Sequence, residues 1–158
     1  SGLDGSGICG EVADLNNDGL LDLVFAADPD NSGVASGMDR YESKVYWNTG
    51  THGACENHWL RLRFSGVKDA ELIGARVAIH EPGTGKLLGI RSIAANHSYK
   101  SGGALEAHFG LGKQTKVDVK VTLPSGKTAT FASVKADQFL DVNLTTSQPS
   151  SVKMQAKP

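Results

Sequence analysis

Apolar residues in much of this chain alternate with polar ones, the pattern of a β-strand with one buried face. Val117, Val119, Val121 and Leu123 share one side of a strand, and polar residues separate them. A second such segment sets three apolar residues against three on the opposite face: Leu60, Leu62 and Phe64 against Trp59, Arg61 and Arg63. No segment keeps an apolar stripe at the helical spacing of 3.6 residues, so almost no helix is expected.

Ten segments carry a strand pattern, with Gly, Pro, Asn or Asp turns between them. They are 8–13, 21–26, 44–48, 58–64, 75–80, 88–94, 105–109, 117–123, 129–131 and 139–144. Many short strands with frequent glycine turns predict an all-β protein. We expect an antiparallel, jelly-roll-like β-sandwich with an N-terminal β unit.

An acidic segment between the first two predicted strands has the spacing of a calcium loop. Oxygen-bearing side chains fall at alternate positions, Gly19 can form a sharp turn, and the next residue can offer its carbonyl oxygen. The predicted ligands are Asp14, Asn16, Asp18, the carbonyl of Leu20, and Asp22. The predicted cofactor is therefore Ca²⁺, and the alternative is a solvated turn between two strands.

The residues after this loop argue against an EF-hand. The twelfth position of an EF-hand loop is normally a bidentate Glu, and here it is Phe25. An EF-hand also continues into a helix, whereas residues 21–25 carry a strand pattern. The loop is expected to lead into a β-strand.

Charge is distributed unevenly along the 158 residues. Residues 1–57 hold ten acidic and two basic residues, a net charge of −8, and residues 58–158 hold seven acidic and fourteen basic, a net charge of +7. The basic residues are dispersed singly along strands, which favours a solvated surface over a nucleic-acid partner. No apolar run is long enough for membrane insertion.

Cys9 and Cys55 are the two cysteines, and they bracket the acidic segment. In a secreted protein they would form one disulfide, and in a reducing compartment they would be two thiols. Because loops of this kind suit millimolar extracellular calcium, we expect secretion and the disulfide.

Two further groups of residues are candidate binding sites. The segment from Asp28 to Tyr41 lacks periodicity, and Asp28, Asp30 and Asp39 make it a candidate second cation site or ligand loop, with a mobile surface insertion as the alternative. Four aromatic residues could form a platform for a sugar, with core packing as the alternative: Tyr46, Trp47, Trp59 and Tyr99.

Two family resemblances emerge from these motifs. The stretch from Val12 to Phe25, followed by Val45-Tyr-Trp-Asn-Thr-Gly50, resembles one calcium-binding FG-GAP/VCBS repeat of a β-propeller. The later motifs resemble the ASPIC/UnbV domain, a family that includes cartilage acidic proteins: Asn57-His-Trp-Leu-Arg-Leu62, Ile73-Gly-Ala-Arg-Val77, His97-Ser-Tyr-Lys-Ser101, His108-Phe-Gly-Leu-Gly112 and Leu123-Pro-Ser-Gly126. In that family Trp usually precedes the last Pro-Ser-Gly, and Leu123 stands there in this chain.

These resemblances imply three segments: 1–56 as the calcium-binding β unit, 57–144 as the ASPIC/UnbV-like sandwich, and 145–158 as a flexible tail. They imply an extracellular module without a catalytic site; either further propeller repeats lie upstream in the whole protein, or the single repeat packs against the domain that follows it. Since one repeat cannot close a propeller, we expect the loop to have a structural role. The predicted function is a secreted, calcium-stabilised interaction or adhesion module for a protein or glycan, and the alternative is a carbohydrate-binding module.

Overall fold

The computed structural model describes residues 7–27, 43–96, 102–146 and 148–151. The N-terminal part contains β1 (Gly7–Ala13), β2 (Asp22–Ala27), β3 (Lys44–Tyr46) and a 3-10 helix (Thr51–Glu56). The next elements are β4 (His58–Ser65), the single helical turn α1 (Asp69–Leu72), β5 (Arg76–His80), β6 (Leu87–Ser92) and β7 (Glu106–Gly112). The last are β8 (Lys116–Thr122), β9 (Thr128–Lys135), β10 (Gln138–Asn143) and β11 (Gln148–Ser151).

The strands form three sheets. The N-terminal sheet has the order β1-β2-β3, and the two four-stranded sheets have the orders β11-β10-β4-β7 and β6-β5-β8-β9. Inward residues of both four-stranded sheets belong to one apolar cluster, so these sheets form a β-sandwich. The prediction of an all-β sandwich with an N-terminal β unit is confirmed.

The core confirms the alternation seen in the sequence. Val117, Val119, Val121 and Leu123 are all less than 10% exposed, and Leu60, Leu62 and Phe64 of β4 are buried with them. Their polar neighbours on β8 and β4 lie on the outer faces of the two sheets.

The structure departs from the expected sandwich in one pairing and one strand. β10 runs parallel to β4, with Leu140 opposite Leu62, whereas an antiparallel sandwich was expected. β11 lies in the segment predicted as a flexible tail, and it pairs with the edge of β10, with Leu140 opposite Ser151. An edge strand needs only main-chain hydrogen bonds along one side, and it tolerates Pro149, so no apolar alternation marked it.

The described helices are short. None within the described ranges has the length and apolar composition needed to cross a bilayer. The N-terminal sheet lies before residue 57 and the sandwich after it, while the segment boundaries themselves stay a prediction.

Removing Leu62 from the core should destabilise the protein strongly. Leu62 is 0% exposed between the sheets, so Leu62→Ala should lower the free energy of unfolding by about 2–5 kcal/mol. The matched control is Leu87→Ala, because Leu87 is 55% exposed and should cost less than about 1 kcal/mol. Urea unfolding measures both, and equal losses would contradict the assignment of the core.

Candidate cation-binding loop

The turn between β1 and β2 is built from residues that tolerate left-handed backbone. Asn17 has φ of 61° and Gly19 has φ of 88°. Asn and Gly adopt this conformation at the least steric cost. The turn therefore folds back sharply over residues 15–21, which brings its oxygen-bearing side chains together.

Asp14 organises the inside of the turn. Its side chain is buried; Oδ1 accepts a hydrogen bond from the Asp18 N–H (3.0 Å) and Oδ2 from the Gly19 N–H (3.1 Å). Both carboxylate oxygens are thus satisfied by main-chain donors, which a buried charge requires.

Asp22 fixes the base of the turn to the segment that follows β3. Its side chain is 1% exposed; Oδ2 accepts from the Leu15 N–H (3.1 Å) and Oδ1 from the Asn48 N–H (2.9 Å). The Asn48 amide nitrogen also donates to the Leu21 carbonyl, and its Oδ1 accepts from the Gly50 N–H. The Asn-x-Gly ending of the 45–50 motif is explained by these hydrogen bonds, which hold the end of the N-terminal β unit against the loop.

Asn16 and Asp18 form the outer part of the turn. The Asn16 side-chain amide donates to Asp18 Oδ2 (2.6 Å), the Asp18 N–H donates to Asn16 Oδ1, and the Leu20 N–H donates to Asp18 Oδ1 (2.8 Å). These contacts link the side chains of Asp14, Asn16 and Asp18 into one hydrogen-bonded cluster.

The donor set of the loop fits a hard cation in chemistry, because every side chain concerned offers oxygen. The structure brings Asp14, Asn16 and Asp18 together, and it holds Asp22 through different partners at the base. Within the described part of the chain, no three His, Cys, Asp or Glu side chains converge as a metal-binding group. The carboxylates of Asp14, Asp18 and Asp22 therefore do not form such a group, and the other two predicted ligands are the Asn16 amide oxygen and the Leu20 carbonyl.

Arg61 of β4 connects the loop to the sandwich. One guanidinium nitrogen, Nη1, donates to the Asp14 carbonyl (3.2 Å) and to Asn17 Oδ1 (3.0 Å), and it lies 4.0 Å from Asp14 Oδ2. The Nε–H donates to Glu106 Oε2 of β7 (2.7 Å). The side chain is 17% exposed, so this outward residue is largely covered by the loop.

Trp59 and His108 both contact Gly19, Trp59 through its ring and His108 through a hydrogen bond. Their rings are stacked, with centroids 6.0 Å apart and planes 4° from parallel, and His108 Nε2 donates to the Gly19 carbonyl (3.1 Å). A Cβ atom at Gly19 would lie 2.0 Å from Trp59 Nε1. Gly19 is thus required by contact with the sandwich as well as by its φ.

The environment of His108 favours the neutral imidazole. Burial lowers the pKa of His108 below its ordinary value of 6.5, the nearby Asp14 carboxylate opposes this, and the positive charges of Arg61 and Arg91 add to it. A cleft of about 330 Å³ opens beside the ring between β1 and strands β4, β6 and β7. Its polar lining residues include Glu11, Asp14, Arg61, Arg91, Glu106 and His108.

The predicted aromatic platform is only partly exposed. Trp47 is 54% exposed, Tyr46 is half-buried, and Trp59 is half-buried against the loop and His108. Tyr99 lies outside the described residues, as do Asp28, Asp30 and Asp39 of the candidate second loop.

The structure does not contain the predicted disulfide. Cys9 and Cys55 are both free. Cys9 lies on β1, and the Cys55 thiol donates to the Gly50 carbonyl (3.0 Å) at the start of the 3-10 helix. The expectation was wrong because position along the chain does not reveal the direction of a side chain.

From the sequence, no site role was assigned to Arg61 or to His108. Both lie on the outer face of the β4–β7 pair, opposite one another in register. The alternation of apolar and polar residues predicted that these side chains face outward, but it did not predict that the acidic loop contacts them. The opposite net charges of the two halves of the chain were the available signal that these halves meet.

Gly19→Ala should destabilise the protein through Trp59. The matched control is Gly83→Ala: Gly83 has a similar φ of 80°, and a Cβ atom there meets nothing within 4 Å. We expect backbone strain of about 1 kcal/mol in both variants and a further 1–3 kcal/mol at Gly19 from the clash. Urea unfolding measures the difference, and equal losses would rule out a tight Gly19–Trp59 contact.

The lowered pKa of His108 should make stability depend on pH. The unfolded chain takes up this proton near pH 6.5 and the folded chain only at lower pH, so stability is complete above 6.5 and falls as the pH drops below it. His108→Gln keeps a donor for the Gly19 carbonyl and should remove that part of the pH dependence. Proton NMR titration of the imidazole gives the pKa directly, and a value above 6.5 would contradict the burial argument.

Comparison with known proteins identifies the family of the chain. The family model described as "ASPIC and UnbV" matches residues 66–150, more than half of the chain. The chain is similar to cartilage acidic protein 1 of Xenopus tropicalis (30% identity over 141 residues, 88% of this chain and 20% of the relative) and of Homo sapiens (31% over 124 residues, 78% and 17%). The protein of the same name from Mus musculus is 30% identical over 141 residues, which are 88% of this chain and 20% of the relative. The chain therefore spans about one fifth of the length of these relatives. This chain belongs to the ASPIC and UnbV family.

Proposed function

We propose that this chain is a secreted, non-catalytic interaction module that is stabilised by Ca²⁺ and binds an extracellular protein. The observation that carries this proposal is the acidic loop, whose oxygen donors are clustered and pinned to the outer face of the sandwich by Arg61 and His108. An ion there would stabilise the arrangement of two structural units, which is a supporting role for a binding module.

The residues that would hold the cation are those predicted from the spacing: Asp14, Asn16, Asp18, the Leu20 carbonyl and Asp22. When bound, Ca²⁺ would supply positive charge among three carboxylates that repel one another. Asp14 and Asp22 are buried, so screening by solvent and salt is weak and the neutralisation is worth more there than at a surface.

The N-terminal sheet is proposed to be a single FG-GAP/VCBS-type repeat. A three-stranded antiparallel sheet in which an acidic loop joins the first two strands supports this, as does Asn48 tying the Asn-x-Gly ending to the loop. Because the chain spans about one fifth of its relatives, further repeats upstream in the whole protein are part of the proposal.

The contacts of Arg61 and of His108 Nε2 in the cleft support a role without catalysis for these two side chains. Arg61 is bound to Glu106 and to the loop, and His108 donates to a carbonyl. A general base needs a free position facing a substrate, and a nucleophile needs such a base beside it. These side chains are instead engaged in holding two units together.

A protein ligand has more support than a glycan. A sugar platform needs a shallow row of exposed rings, and Trp59 is stacked on His108 and covered by Gly19. The relatives are named for cartilage, an extracellular tissue, which supports secretion and a partner in the extracellular matrix.

Calcium should raise the melting temperature of the chain. Binding to the folded state alone adds a stabilisation that grows with the logarithm of the free calcium concentration, about 2.7 kcal/mol at one hundred times Kd. Scanning calorimetry in EDTA, in Mg²⁺ and in 1–10 mM Ca²⁺ measures the shift. Asp14→Asn combined with Asp18→Asn should abolish it, while Asp69→Asn, at the exposed start of α1, should leave it intact. An unchanged melting temperature across this calcium range would refute the calcium part of the proposal.

The partner class is testable with the same chain. Immobilised protein should be screened against an array of extracellular proteins and against a glycan array, each with Ca²⁺ and with EDTA. We expect binding to proteins that is reduced in EDTA and in the Asp14→Asn, Asp18→Asn variant. Binding to glycans alone would favour the carbohydrate-binding alternative.

A further inference from the structure

We infer that the patch formed by Trp59, Arg61 and His108 on the β4–β7 face sets the cation affinity of the loop and couples cation binding to the stability of the sandwich. This inference rests on the proposed function, because it concerns the same loop. It assigns these three residues as positioning residues, which act on the cation through the loop and not as ligands.

The patch holds the loop at three separate points. Arg61 holds the Asp14 carbonyl and the Asn17 side chain, and His108 holds the Gly19 carbonyl. Trp59 fills the space against Gly19 so closely that no Cβ atom fits between them. Each contact falls on a predicted ligand residue or between two neighbouring ones, so the patch fixes the positions that determine ligand spacing.

The atoms used by the patch are not the predicted ligand atoms. The hydrogen bonds go to the carbonyls of Asp14 and Gly19 and to the Asn17 amide oxygen, whereas the cation is expected to take carboxylates, the Asn16 amide oxygen and the Leu20 carbonyl. Docking and cation binding can therefore occur together. A loop already held in its bound shape loses less conformational freedom on binding, so its affinity is higher.

Arg61 provides a test in which charge and position predict opposite results. Its guanidinium lies 4.0 Å from an Asp14 carboxylate oxygen, so by electrostatics alone its removal should strengthen the binding of a cation. If Arg61 acts mainly by positioning the loop, its removal should weaken binding. We expect the weakening to dominate, because Arg61 makes three hydrogen bonds that bridge the loop and β7.

Arg63 offers a matched control on the same strand and the same face. Both arginines lie over the Phe139 ring, at 4.5 Å for Arg61 and 5.5 Å for Arg63. Arg63 pairs with Asp141 of β10, within the sandwich. Arg61→Gln and Arg63→Gln therefore remove the same charge from neighbouring places, and the contacts with the loop are lost in the first variant.

Isothermal titration calorimetry of the full chain with CaCl₂ gives the decisive comparison. We expect Arg61→Gln to raise the Kd about tenfold, the order expected for losing charge-assisted hydrogen bonds, and Arg63→Gln to change it less than about twofold. An unchanged or lowered Kd in Arg61→Gln would overturn the inference while leaving the proposed function standing. Failure of the unaltered chain to bind Ca²⁺ would refute the calcium site itself.

A second variant guards against misfolding of Arg61→Gln. Asn17→Gly keeps the left-handed backbone and removes the side-chain acceptor of Arg61, so it should raise the Kd by about two- to fivefold. In the Arg61→Gln background the same change should add little, because the partner is already gone. Full additivity of the two effects would overturn the Arg61–Asn17 part of the inference.

The coupling to the sandwich has its own readout. In hydrogen exchange, Ca²⁺ should slow the amides of β4 and β7 in the unaltered chain and in Arg63→Gln, and should have little effect on them in Arg61→Gln. Protection confined to residues 14–22 in all three proteins would show that the loop binds the ion independently of the sandwich, and would overturn the coupling.

Discussion

The structure depends on two carboxylates that are buried in and beside one tight turn. Asp14 and Asp22 are at most 5% exposed, and a buried charge is tolerated only when donors and opposite charge surround it. The turn supplies most of the donors through its own N–H groups, and Asn48, two residues after the end of β3, supplies one more. This requirement accounts for the left-handed residues in the turn, for the Asn-x-Gly ending of the unit, and for the Arg61 guanidinium near Asp14.

Arg61 brings positive charge from the sandwich to this turn, and so relates the uneven charge of the chain to its architecture. An acidic N-terminal segment and a basic sandwich attract each other, but a long-range field does not select one orientation. The orientation comes from short contacts, namely the hydrogen bonds of Arg61 to Glu106 and to the loop, the His108 hydrogen bond, and the Trp59 ring against Gly19. Opposite net charges favour contact between the N-terminal segment and the sandwich, and packing around Gly19 determines their relative orientation.

Alternation predicted the ten strands and the buried faces of β4 and β8, because side-chain direction in a strand follows from position alone. It could not identify what lies on an outer face. Arg61 looked like a solvated arginine, and its partners Asp14 and Asn17 are more than forty residues away in sequence. β11 was missed because an edge strand is stabilised through its main chain. The spacing of the loop predicted its candidate ligands. It could not predict that Asp22 accepts a hydrogen bond from Asn48, because that contact depends on how the segment after β3 packs against the loop.

The way the loop is held suits a stabilising ion better than a sensor. A calcium switch needs two arrangements of similar free energy, between which binding selects. Here the turn is fixed at its base by Asp22 and Asn48 and on its side by Arg61 and His108, and Gly19 is packed against Trp59. A second arrangement would have to break these contacts together and expose two buried carboxylates. Under the proposed function, an ion bound to such a loop would stabilise the existing arrangement and would make the contact between the N-terminal sheet and the sandwich more rigid.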